Sequence, residues 1–198
     1  MNIVILGAQG LVGKALVVEG LRRNLAVTAF VEDRQSFTLQ NNNLKVMAGD
    51  VLDPVRVDRA LWSQDAVCIA LGNGIDLKPV NLYSRATQHV LKSMRQQSIR
   101  RVVCLLSGWV FFEEVPAVHQ LVAADHNRQL AMLRASVLDW VAVCPPEVSV
   151  GQSLGNYRVT VGKLPTLGVH ISTEDIARFM LDQLEHDEYL EKVVGIAE

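Results

Sequence analysis

An α/β architecture, one doubly wound parallel sheet with helices on both faces, follows from three features of this chain. Strand-like apolar runs alternate with helix-period segments along all 198 residues, the pattern of right-handed strand-helix-strand units. The first run, Ile3-Val4-Ile5-Leu6, has no polar alternation, as in a strand buried on both faces of a parallel sheet. Directly after it Gly7, Gly10 and Gly13 fall at a spacing of three and open a helix. Strand, glycine turn and helix in that order form a pyrophosphate cradle: Gly7 allows the turn, Gly10 lets a ligand approach the backbone, and Gly13 lets helix lie close to strand.

The elements follow in order. Leu11, Ala15 and Val18 recur at helical intervals and predict one face of the first helix. Leu25 to Val31 reads as the second strand and ends in Glu32-Asp33-Arg34. Glu32 lies 19 positions beyond Gly13, where a carboxylate is expected to accept from the ribose hydroxyls of NAD. Arg34 instead suits the 2′-phosphate of NADP, so both nucleotides stay open. Gln40 to Asn43 is a polar turn, and Leu44 to Ala48 is the third strand, running into Gly49-Asp50-Val51. Asp50 and Val51 are placed to border an adenine. Asp53-Pro54 starts a helix as cap and first-turn proline, on which Asp58 reads as surface charge.

Asp65 to Leu71 is the fourth strand, stopped by Gly72-Asn73-Gly74. In open α/β sheets ligands bind beyond the carboxyl ends of strands, so Leu71 and Gly72 are expected beneath the cofactor. A helix from about Val80 to Gln97 and a fifth strand, Arg101 to Leu106, lead to Ser107. Trp109, Phe111 and Phe112 then cluster in a stretch that Glu113, Glu114 and Pro116 mark as loop, and such apolar clusters form binding surfaces. A helix from His119 to Val137 is expected to bury Val122, Leu130, Leu133 and Val137, with His126 a packed core histidine. Leu138 to Cys144 is the sixth strand, ending at Pro145-Pro146-Glu147. A loop or short strand at Tyr157 to Val161, the capping-box pair Ser172 and Asp175, a last helix and a closing strand at Lys192 to Ile196 complete a single domain, residues 1–198.

The totals exclude several classes of function. Hydrophobic residues make up 49%, yet the apolar runs are short and broken by charges, unlike a span of ~20 apolar residues. A net charge of −2 gives no general affinity for nucleic acid. Cys68, Cys104 and Cys144 sit inside apolar runs without metal-ligand spacing and read as reduced thiols of a cytoplasmic protein. No secretory leader precedes the first strand. No metal is expected, and the chain is expected to act as a monomer.

The Gly-x-x-Gly-x-x-Gly spacing resembles extended and atypical short-chain dehydrogenases. Those enzymes place a serine where Ser107 stands, beside the nicotinamide, and a Tyr-x-x-x-Lys on the next helix as proton donor. The helix after Ser107 has neither tyrosine nor lysine, so an acceptor that needs no strong positioned acid is indicated. A flavin or a linear tetrapyrrole spreads the incoming electron pair over a conjugated system and stacks on Trp109, Phe111 and Phe112.

More specifically the chain resembles the flavin reductase (NADPH) family, the biliverdin-IXβ reductases, which are Rossmann-like proteins close to NmrA. The likeness rests on G-A-Q-G-L-V-G from Gly7, G-D-V-L from Gly49, Q-D-A-V-C-I-A-L-G from Gln64, Ser107 with its apolar loop, D-H-N-R from Asp125, V-A-V-C-P-P from Val141, Y-R-V-T from Tyr157 and F-M-L from Phe179. The resemblance implies that Gly7, Gln9, Gly10, Leu11, Val12 and Gly13 hold the pyrophosphate and Asp50 and Val51 the adenine. It also implies that Ser107, Cys144, Pro145 and Pro146 border nicotinamide and acceptor, with FMN or biliverdin as acceptor. Glu32 replaces the family's arginine for the 2′-phosphate and tilts the expected donor from NADPH toward NADH. Gly74 replaces a second basic residue. Glu147 replaces a histidine and is either a weak acid beside the acceptor or a solvated carboxylate. A non-catalytic NAD(P) sensor like NmrA is the alternative function.

Overall fold

The computed structural model describes residues 1–72, 81–153 and 155–198. β1 (Asn2–Leu6) pairs in parallel with β2 (Ala26–Val31) on one side and β4 (Ala66–Ile69) on the other, Ile3 lying opposite both Val27 and Ala66. β3 (Leu44–Ala48) continues beyond β2, while β5 (Arg101–Leu105) and β6 (Asp139–Cys144) continue beyond β4. The chain therefore builds outward in opposite directions from β1 and β4, and the crevice between their carboxyl ends is where ligands sit in such sheets.

Two strands extend the sheet past β6. β10 (Lys192–Ala197) runs parallel to β6, and β8 (Arg158–Val161) pairs antiparallel to β10 at the edge, giving the order β3-β2-β1-β4-β5-β6-β10-β8. A separate pair, β7 (Glu147–Ser149) and β9 (His170–Ser172), was not legible in sequence. Each has only three residues, too few to show a period.

Alternation along β1 divides the core. Ile3 and Ile5 face α1 (Leu11–Arg22) and α5 (Thr173–Asp182), where Leu16, Val17, Ile176 and Met180 are buried. Val4 and Leu6 face the opposite layer of α2 (Pro54–Leu61), α3 (Leu82–Gln96) and α4 (Ala117–Arg134). Strand-face alternation thus persists although neither face is wet.

Three helices differ from expectation. The inward stripe of α1 is Val12, Gly13, Leu16, Val17 and Gly20, whereas Leu11 and Val18 are exposed. The small Gly13 is pressed onto Gly7, and this turns the neighbouring face inward. α4 ends at Arg134, so Val137 lies past it and is exposed. Asp58 is more than surface charge: Ser93 Oγ and Gln97 Nε2 donate to its carboxylate at 2.7 and 2.8 Å, joining α2 to α3. The two caps expected from sequence are formed. Asp53 accepts from Val55 N and Arg56 N, and Ser172 accepts from Asp175 N. Among the described residues no helix is long and apolar enough to cross a membrane.

Candidate nucleotide cleft and acceptor cavity

The glycine turn is fixed by backbone packing. Gly7 has φ +84°, and a Cβ there would run into the carbonyl of Ala70 at the end of β4. A Cβ on Gly13 would likewise strike the Gly7 carbonyl. Gly10 is less constrained: a Cβ there would meet the Gly7 carbonyl oxygen at 3.3 Å, a tight contact that a small shift relieves, and the residue is exposed. It caps α1 without a side chain, leaving the first N–H groups open to an anion with the helix dipole behind them.

Gly7 and Gly10 form one wall of a cleft of about 270 Å³ at the carboxyl ends of β1, β2 and β4. Glu32, Val51, Leu71 and Gly72 line it with Gln9, and Phe30 and Leu82 add apolar surface. Five predicted residues take other positions. The side chain of Leu11 points out of the cleft, that of Val12 is in the core, and Gly13 serves helix packing, so these three can offer an anion their first-turn backbone N–H groups only. Arg34 donates from its guanidinium to the Val46 carbonyl at 2.5 Å and does not line the cleft. The Asp50 carboxylate accepts from Leu52 N at 2.8 Å, spending itself on the turn before α2.

A second cavity, about 670 Å³, opens over β5 and β6. Ser107 caps a 3-10 turn, Gly108–Phe111, its Oγ accepting from Trp109 N at 3.3 Å. Gly108 N donates to the Pro145 carbonyl at 2.8 Å, binding the ends of the two strands together. Trp109 stacks on His119 with ring centroids 4.9 Å apart and an interplanar angle of 21°, and lies 5.6 Å from the Phe112 ring. Pro145, Pro146 and Glu147 line the opposite side.

Phe111 does not join this wall, because the 3-10 turn rotates it onto the α2–α4 core layer. Cys144 is fully buried in that layer, and burial pushes its thiol well above the ordinary range. It contributes strand structure rather than a surface. Val122 lines the cavity instead of filling the core, and His119, Leu164 and Val169 are lining residues that sequence did not single out. Leu164 and Val169 arrive from a distant loop, and no spacing connects them to Ser107. Gly74 lies outside the described residues.

The D-H-N-R segment builds scaffold. Asp125 is fully buried and accepts from Tyr83 N at 2.9 Å, from Ser84 Oγ at 2.5 Å and from Arg128, so α3 is capped by a residue of α4. His126 is a core histidine, stacked on Tyr83 at 4.0 Å with Nδ1 3.0 Å from Gln129 Oε1. Burial holds its pKa below the usual imidazole range.

Residues 7–187, a span that takes in both cavities, match the model of the NAD(P)H-binding family. The chain belongs to that family. Solved structures extend the likeness over the whole length of this NAD(P)H-binding protein. A candidate epimerase from Bacteroides thetaiotaomicron is 26% identical with TM-score 0.87, covering 99% of this chain and 96% of its own. A candidate NADH-flavin reductase from Streptococcus pneumoniae is 21% identical with TM-score 0.83, covering 100% and 99%. A short-chain dehydrogenase/reductase from Veillonella parvula, solved with NADP, is 15% identical with TM-score 0.83, covering 100% and 94%. At such identities the last two establish the fold. The residues present also fit a dinucleotide, since the open approach at Gly10 is one that a side chain would fill.

Proposed function

We propose that this NAD(P)H-binding protein is a reductase that passes hydride from reduced nicotinamide to a flat conjugated acceptor, a free flavin such as FMN or a biliverdin, and that NADH is its preferred donor. The observation that carries the reading is the aromatic cavity of Ser107, Trp109, His119 and Phe112, which opens on the same sheet edge as the nucleotide cleft. The donor preference rests on Glu32 lining the cleft while Arg34 is engaged with Val46. A carboxylate accepts from a free 2′-OH and repels a 2′-phosphate.

The bound dinucleotide supplies the hydride. The Gly10 N–H closes the turn on the Gly7 carbonyl at 3.0 Å, so the first-turn N–H groups from Leu11 onward hold the pyrophosphate, Glu32 the ribose hydroxyls, and Phe30 with Val51 flank the adenine. The Ser107 hydroxyl already accepts from Trp109 N, so its proton remains to donate to the acceptor or the nicotinamide amide. Trp109 and Phe112 stack the acceptor ring and displace water from its face. The proton that follows hydride comes from solvent at the mouth, where Glu147 is exposed.

Purified protein is mixed with NADH or NADPH and then with FMN, riboflavin and biliverdin, following the absorbance of the reduced nicotinamide. Acceptor-dependent oxidation is expected, faster with NADH. In Ser107→Ala, kcat/KM for the acceptor falls by about tenfold to a hundredfold, the range for loss of one placed hydrogen-bond donor. Nucleotide binding without oxidation of any acceptor overturns the reductase and leaves a sensor.

A further inference from the structure

We infer that Gln9 is the positioning residue for nucleotide selectivity: its side-chain amide holds the Glu32 turn against the glycine loop and so fixes the carboxylate that distinguishes NADH from NADPH. The inference rests on the proposed role of Glu32 and adds the group that keeps it in place. Gln9 Oε1 accepts from Glu32 N at 2.6 Å and from Asp33 N at 3.2 Å. Its Nε2 donates to the Asp33 carbonyl at 3.1 Å and to Ser36 Oγ at 2.5 Å. One amide thus makes four hydrogen bonds across a sequence separation of more than twenty residues, using both its acceptor and its donors.

The turn has other supports: Arg34 ties it to the Val46 carbonyl of β3, away from the glycine loop, and the rest act within it. The Asp33 carboxylate accepts from Gln35 N and Ser36 N, and Ser36 Oγ donates to the Asp33 carbonyl. These bonds give the turn its shape but do not orient it toward the cleft. Glu32 and Asp33 are exposed, so packing does not hold them. Of the side-chain bonds named here, those of Gln9 are the ones that join the Glu32 turn to the pyrophosphate loop. Gln9 lies between Gly7 and Gly10, so the same residue registers both ends of the adenosine half of the site.

Dissociation constants for NADH and NADPH are measured by fluorescence titration of the full chain, without acceptor, for wild type, Gln9→Ala, Gln9→Glu and Ser36→Ala. Wild type is expected to favour NADH by about tenfold or more. In Gln9→Ala, NADH binding weakens at least about fivefold while NADPH changes less than about twofold, bringing the ratio toward unity. Gln9→Glu keeps the acceptor for Glu32 N and Asp33 N but loses the donors, and although its added charge weakens both nucleotides, its NADH-to-NADPH ratio falls between those of wild type and Gln9→Ala. Ser36→Ala removes one of the four partners and shifts the ratio by about twofold, serving as the readout if Gln9→Ala does not fold. Equal weakening of both nucleotides, or an unchanged ratio, overturns the inference and leaves Gln9 a structural residue. A wild type that favours NADPH overturns the reading of Glu32 itself.

Discussion

The three glycines of the first turn are alike in sequence, and the structure separates them. Gly7 and Gly13 are required by severe backbone contacts within the protein, whereas Gly10 is only tight against the Gly7 carbonyl and stands exposed at the cleft. Gly13→Ala forces Cβ against the Gly7 carbonyl and is expected to lower unfolding stability by about 2–4 kcal/mol, measured by urea denaturation. Gly10→Ala should cost no more than about 1 kcal/mol in the same measurement, since its Cβ only crowds the Gly7 carbonyl, and yet weaken nucleotide binding at least about tenfold, because its methyl stands at the anion's approach. The glycine motif was therefore legible. Arg34, Asp50 and Phe111 were not, since their roles depend on where each side chain points once the backbone is fixed. Arg34 reaches sideways to β3, Asp50 folds back on its own turn, and Phe111, half-buried, packs against the core layer.

Helix α1 carries an ion-pair network on its last turns that no motif announces. Glu19 is 7% exposed and binds Arg22 at 2.6 Å and Arg23 at 2.8 Å, while Arg23 reaches Asp182 of α5 at 2.7 Å. The hydrogen bond from Arg22 leads, joined by those of Arg23 against the opposing effect of burial, in lowering the Glu19 carboxyl to about 2. A lowered folded-state pKa stabilises above the unfolded value near 4.5 and loses that contribution as pH falls toward 2. Glu19→Gln should cost about 1–2 kcal/mol at pH 7, discounted for the solvent around Arg22, and little by pH 2, so that the acid limb of the stability profile flattens. The start of α3 also depends on a tertiary contact. Asn81 makes no side-chain cap, and Asp125 from α4 accepts from its first-turn N–H groups instead. Sequence locates such a helix by its apolar period but does not show what holds its end.

Across the whole molecule both cavities lie at the carboxyl ends of the parallel strands and are built from segments brought together only by folding, so ligand binding and folding are linked. A nucleotide that binds only the folded chain stabilises it by about 2.7 kcal/mol at a hundred times its Kd. Calorimetry should accordingly show Tm rising by several degrees with saturating NADH, and by less with the same concentration of NADPH. The order of strands and helices, the buried central strand, the glycine turn and the acidic residue after β2 were determined by the sequence itself. These depend on backbone rules and on periodicity, which act between near neighbours. The antiparallel pairing of β8 with β10, the β7–β9 pair, the Gln9 bridge to Glu32 and the cavity wall of His119, Leu164 and Val169 were decided only by tertiary structure. Each joins segments that are far apart in the chain, and the directions in which their side chains meet are set by packing rather than by any local pattern.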